Sequence, residues 1–125
     1  MASAIVYGRV GIQNFAAEAL RDTRVKEMAH KVKPRIDKSM AREQGFPPAA
    51  VDIKTGSGKV YSRQVDSPFG TPGNPMTFAD VASKFRECCR FSVKPISPEN
   101  QDSVIKMVEG IEKLNDAGRI VRLLG

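Results

Sequence analysis

The side chains with chemistry to offer are few. His30 is the only histidine, and Cys88 and Cys89 are the only cysteines. A general base needs a carboxylate or a nucleophile placed beside it, and no recognisable motif places one near His30. His30 falls at the end of a helical pattern, where an imidazole ordinarily serves the C-terminal dipole. One histidine and two adjacent cysteines are poor material for a metal centre. No catalytic residue, metal site or cofactor is therefore expected. One of the two thiols falls on an apolar stripe beside Phe85, which predicts a buried structural cysteine rather than a reactive one.

Gly56-Ser57-Gly58-Lys59 has the letters of a phosphate loop but not its spacing. A Walker motif needs glycine five residues before Gly58, where Ile53 stands, and Ser or Thr after the lysine, where Val60 stands. The tetrapeptide also lies between two strand-like runs, not between a strand and a helix. Phosphate binding is not expected there.

Charge is the next resource. The 125 residues carry 20 Lys and Arg against 14 Asp and Glu, a net charge of +6. The excess sits towards the N-terminus: residues 1–50 hold nine basic against five acidic side chains, and residues 91–125 hold five of each. Such a half can face nucleic acid, an acidic protein or a polycarboxylate, or simply water. No nucleic-acid motif and no aromatic interleaving is present, so nucleic acid is disfavoured. No apolar run approaches the roughly 20 residues of a membrane span, and Ala2–Tyr7 is too short for a signal-peptide core. Adjacent cysteines cannot staple distant segments. Together these predict a cytoplasmic protein with no membrane partner.

The elements that position these groups follow from periodicity. The organising stretch is Val51–Phe78. Val51–Thr55 and Lys59–Val65 are strand-like and Gly56-Ser57-Gly58 is the turn between them. A loop with Pro68, Gly70, Pro72, Gly73 and Pro75 follows, and its fixed and permissive residues predict a defined path rather than a loose linker. Two registers fit the hairpin. A two-residue turn pairs Asp52 with Arg63 and Lys54 with Tyr61, whereas a three-residue turn pairs Ile53 with Tyr61. The difference turns the second strand over. Upstream, Ala2–Tyr7 reads as helix stopped by Gly8, and Gln13–Leu20 as a short helix. Asp22 caps a third helix with Val25, Met28, Ala29 and Val32 on one side. Residues 32–37 alternate like a strand, placed at a sheet edge because Pro34 has no N–H to donate. Downstream, helices are predicted over 78–91, 99–114 and 117–124. Asp80 and Lys84 form an i, i+4 pair on the first of these, and Asn115-Asp116 ends the second. Phe78, Val81, Ala82 and Phe85 form one inward stripe, and Val104, Ile105, Val108 and Ile111 another. The fold class is α+β: a small antiparallel sheet of about three strands with flanking helices, then an all-helical segment.

The hairpin with a glycine-rich tip, then V-D-x-P-x-G-x-P-x-N-P from Val65 to Pro75, then a helix containing Lys84-Phe85-Arg86-x-Cys88, resembles the C-terminal region of the MmgE/PrpD family. Upstream, Tyr7-Gly8-Arg9-Val10 through Phe15 to Leu20-Arg21-Asp22-x-Arg24-Val25 resembles it too, so the similarity covers nearly the whole chain. The family includes 2-methylcitrate dehydratases, cis-aconitate decarboxylases and iminodisuccinate epimerases. The resemblance implies a lid-like α+β portion over residues 1–66, a connecting loop over 67–76 and a helical segment over 77–125. Family members are several times longer, and the resemblance starts this chain well inside their second half. The family's acid–base residues lie mostly in the part before that point, so no catalytic residue is carried over.

What the resemblance implies for function is a C-terminal fragment or small subunit of a lyase or isomerase acting on small polycarboxylates, without a metal in the general case and not catalytic alone. Arg9, Arg35, Arg42 and Arg63 are its candidate carboxylate contacts. Its expected partners are a helical catalytic domain or a second copy of itself. The alternative is a non-enzymatic module that binds protein or nucleic acid through the basic half. Binding to nucleic acid would weaken steeply with salt.

Overall fold

The hairpin predicted at the centre of the chain is present, and its glycines set its register. In the computed structural model, which describes residues 1–42 and 44–125, β1 (Ala49–Lys54) pairs antiparallel with β2 (Val60–Val65). Ile53 stands opposite Tyr61 and Asp52 opposite Ser62. The three-residue alternative is therefore the one adopted. Thr55 N–H donates to the Lys59 carbonyl at 2.9 Å, and Gly58 N–H turns back to the Thr55 carbonyl at 2.9 Å. Gly58 takes φ +84°, the left-handed conformation that closes a three-residue loop and that glycine adopts without a Cβ penalty. Ser62 Oγ then donates to Asp52 Oδ1 at 2.7 Å, and Arg35 reaches Asp52 Oδ2 at 3.1 Å.

The expected third strand is absent. Residues 32–37 form no strand, and the described sheet is β1–β2 alone. Alternation was real in the sequence, but Pro34 removes a ladder donor and Ile36 stands 94% exposed, so that segment has neither a pairing edge nor a buried face. The fold is nonetheless α+β.

The chain divides into two units, one of residues 1–33 and 78–125 and one of residues 34–77. The second unit holds the hairpin and the Pro/Gly loop. That loop is tied to itself: Gly70 N–H donates to the Asn74 carbonyl at 2.8 Å, Thr71 Oγ1 to the Pro68 carbonyl at 2.7 Å, and Asn74 Nδ2 to the Ser67 carbonyl at 3.2 Å. A defined path was expected from its prolines and glycines, and these bonds supply it.

In the first unit, α1 (Ala2–Tyr7) ends at Gly8 with φ 73°. A 3-10 turn follows at Ile12–Phe15, then α2 (Ala17–Arg21) and α3 (Thr23–Lys31). Both α1 and α2 pack on α3. Asp22 caps α3 by accepting from Arg24 N–H at 2.9 Å. Its other oxygen accepts from the Tyr7 hydroxyl, which joins α1 to the start of α3.

Next come α4 (Phe78–Cys89), α5 (Pro98–Glu109) and α6 (Gly118–Leu123), with α4 on α5 and α5 on α6. Ser97 caps α5, and Pro98 takes its first position. The end of α5 comes earlier than Asn115-Asp116: Gly110 stops it and Ile111–Lys113 continues as a 3-10 turn. Asp116 instead accepts from Gly118 N–H at 2.8 Å at the start of α6. The core is slight. Ala82 and Cys89 of α4 and Val104 of α5 are its buried apolar side chains, while Val81, Val108 and Ile111 stay 48%, 39% and 50% exposed.

Candidate functional site

A recess lined by cationic side chains lies in the first unit, between the Arg9–Gly11 segment and α4. Arg86 lies in the last turn of α4, and Arg90 is the first residue beyond its end. The opposite wall is the chain leaving α1 through Gly8. Gly11 N–H donates to Asn14 Oδ1 at 2.7 Å, and Asn14 N–H returns to the Gly11 carbonyl at 3.1 Å. Asn14 is buried, and this pair fixes the turn. Glu87 then ties that turn to α4: its Oε1 accepts from Ile12 N–H at 3.2 Å and its Oε2 from Lys84 Nζ at 3.0 Å. The approach is close: a Cβ at position 11 would overlap Glu87 Oε1, so the ends of the Glu87 and Gln13 side chains would have to move aside.

The result is a hollow of about 320 Å³ lined by Arg9, Val10, Gly11, Ser83, Arg86, Glu87 and Arg90. Lys84, and then the Ile12 N–H, hold the Glu87 carboxyl below its usual range. Glu87 is therefore an anion with both oxygens engaged. Arg86 bonds Asp102 of α5 at 2.8 Å. Among the described residues, Arg9 and Arg90 have no ion-pair partner.

Of the four arginines singled out from the sequence, the structure brings only Arg9 to this recess. Arg35, Arg42 and Arg63 belong to the second unit. Arg35 is occupied by Asp52. Arg63 stands opposite Val51, so strand alternation puts it on the other face of the hairpin from Asp52. Arg42 is exposed in the segment after the 3-10 turn Lys38–Met40. Arg86 and Arg90 were missed. Their i, i+4 spacing on a predicted helix was visible, but nothing in the sequence said that Arg9, more than seventy residues away, would face them.

The other candidates take structural places. His30 is exposed in the last turn of α3. Cys88 is exposed and Cys89 is buried, and burial pushes the Cys89 thiol up, away from thiolate chemistry. Lys59 lies over the Tyr61 ring at 4.6 Å, a hairpin contact rather than a phosphate ligand. Lys84 pairs with Glu87 at i, i+3, where the sequence had paired it with Asp80.

Fold and recess together define an α+β protein with a small basic hollow on its helical unit. Residues 1–111 match the MmgE/PrpD C-terminal domain. The chain belongs to that family, and the match runs through the hairpin, the Pro/Gly loop and α5. No curated protein matches the chain. No helix among the described residues is long and apolar enough to cross a membrane.

Proposed function

We propose that the chain serves as the C-terminal portion of an MmgE/PrpD-type lyase or isomerase of small polycarboxylates, is not catalytic by itself, and works in the cytoplasm. The observation that carries this reading is the match of residues 1–111 to the family's C-terminal domain. The two neighbouring thiols, both free, fit a reducing compartment. In this reading the partner is the helical catalytic domain of the family, and the chain contributes the lid-like hairpin and the closing helices.

The pure 125-residue chain should not turn over 2-methylcitrate or cis-aconitate. Addition of a separately produced family helical domain should restore turnover that depends on this chain. Turnover by the pure chain, abolished by a substitution within it, would refute the view that it is inactive alone. Failure of any helical domain to bind it would remove the enzymatic reading.

A further inference from the structure

We propose that the open edge of β1 pairs antiparallel with the β1 edge of a second copy of this chain, in the register that centres on Ile53. The inference goes beyond the proposed function, because it uses the hairpin alone and needs no catalytic domain. The bond from Thr55 N–H to the Lys59 carbonyl sets the phase of the ladder. Alternate residues of an antiparallel pair turn their N–H and C=O groups away from the partner strand, so those of Ala50, Asp52 and Lys54 point outward from β2. Among the described residues no third strand meets them, and all three residues are exposed. A two-stranded hairpin is marginal in water, and its unpaired edge is a template for another strand.

Charge selects both the occupant and the register. Val51 and Ile53 share a face of the hairpin with Tyr61 and Val65, while Asp52 and Lys54 share the other with Ser62. A two-fold pairing keeps like faces together only when it centres on a residue. Centred on Asp52 it would oppose two carboxylates, and centred on Lys54 two ammoniums; like charges directly opposite are destabilising. Centred on Val51 it leaves both charges without an opposite partner. Centred on Ile53, Asp52 of each copy stands across from Lys54 of the other. Those are residues whose backbone groups point outward, so each opposed pair exchanges its N–H and C=O bonds as well as its charge. Asp52 already accepts from Ser62 and Arg35, yet its side chain is 50% exposed and a carboxylate has further acceptor sites. On the apolar face Ile53 meets its own copy at a non-hydrogen-bonded site, where side chains approach most closely. The strand β2 offers no counterpart, since Arg63 is its one charged residue.

The test is oxidative cross-linking of the whole chain at micromolar concentration in a Cys88→Ser, Cys89→Ser background. Ile53→Cys should form a disulfide between copies, because opposed residues at a non-hydrogen-bonded site lie within disulfide reach. Tyr61→Cys is the control. Tyr61 lies on the same face and is as exposed, 53% against 45% for Ile53, but it stands on β2 and should cross-link at least about tenfold more slowly. Added to Ile53→Cys, Lys54→Glu and Asp52→Lys should each slow cross-linking about fivefold or more, since each sets like charges opposite one another. Mixing those two variants should restore the rate, because the mixed pair opposes unlike charges at both positions. Recovery on mixing also shows that both variants fold. The proposal falls if Tyr61→Cys cross-links as fast as Ile53→Cys, if Lys54→Glu leaves the rate unchanged, or if the mixture recovers nothing. None of these outcomes bears on whether a helical domain restores turnover.

Discussion

At the scale of single residues, the densest chemistry belongs to Asp22, and it is structural. Asp22 accepts from Arg24 N–H, from the Arg24 guanidinium and from the Tyr7 hydroxyl, while Arg24 lies 5.6 Å from the Tyr7 ring centre. The Arg24 guanidinium, then the Tyr7 hydroxyl, hold the Asp22 carboxyl far below the usual carboxylate range. The same bond to Asp22 raises the Tyr7 phenol above its usual range. The signs follow from linkage. A depressed carboxyl contributes stability that is complete above its unfolded value of 3.8 and is lost as pH falls towards the folded value. A raised phenol contributes stability that is complete below its unfolded value of 10.0 and is lost as pH rises through the folded one. Urea midpoints measured across pH should therefore report this contact in two variants. The deficit of Asp22→Asn should be constant at neutral pH and shrink below about pH 4. The deficit of Tyr7→Phe should shrink above about pH 10 and, because the phenol also helps hold Asp22 ionised, again below about pH 4. A pH-independent deficit in both would show that the contact does not form. The capping role of Asp22 was legible from its place before a helical pattern. Its bond to Tyr7 was not, because sequence spacing says nothing about how α1 lies on α3.

At the scale of elements, the hairpin carries the sharpest test. The sequence left two registers open because each rewards one preference, an Asp52–Arg63 ion pair or apolar Ile53 against Tyr61. Turn chemistry decided it: Gly58 in the left-handed region closes a three-residue loop, and Asp52 meets Ser62 and Arg35 instead. Gly58→Ala should destabilise the hairpin by about 1 kcal/mol, the steric cost of a left-handed alanine, since nothing crowds that Cβ. Gly56→Ala, where φ is not positive and no atom lies within 4 Å, should be nearly neutral. Hydrogen-exchange protection at Thr55 measures both, and equal effects would contradict the register. In a Cys88→Ser, Cys89→Ser background, Asp52→Cys with Ser62→Cys should cross-link on oxidation, whereas Asp52→Cys with Arg63→Cys should not, because those side chains leave opposite faces. The start of α3 was legible from Asp22, whereas the cap Ser97 of α5 was not singled out. The stop at Gly110 was passed over because apolar spacing continues through Ile111. The false strand at residues 32–37 shows the same weakness, since alternation records a pattern and not the presence of a partner.

At the scale of the molecule, the decisive quantity is surface. The chain exposes 10235 Å², where a compact protein of its mass exposes about 6,600 Å² and two compact units of these sizes about 7,900 Å². No large side chain among the described residues is fully buried. The surplus is substantially apolar. Val81 and Phe78 of α4 and Val108 of α5 stand open, as does Ile111 just beyond it, and so do Ile53, Tyr61 and Val65 of the hairpin. Faces of this kind on a folded domain mark surfaces that another protein surface covers. Under the proposed function the family's helical domain is one such cover, and we propose a second copy of this chain as another, most simply as a two-fold dimer. Sedimentation of the purified chain alone should show a dimer or larger species at micromolar concentration. Val81→Asp with Val108→Asp should weaken that association by at least tenfold, because each valine loses a buried contribution of about 1.5–3 kcal/mol. Both positions are already exposed, so the circular dichroism of the variant should match the parent. Added helical domain should compete with self-association if the two use the same faces. A monomer at these concentrations that binds no hydrophobic dye would remove the case for any partner at these faces.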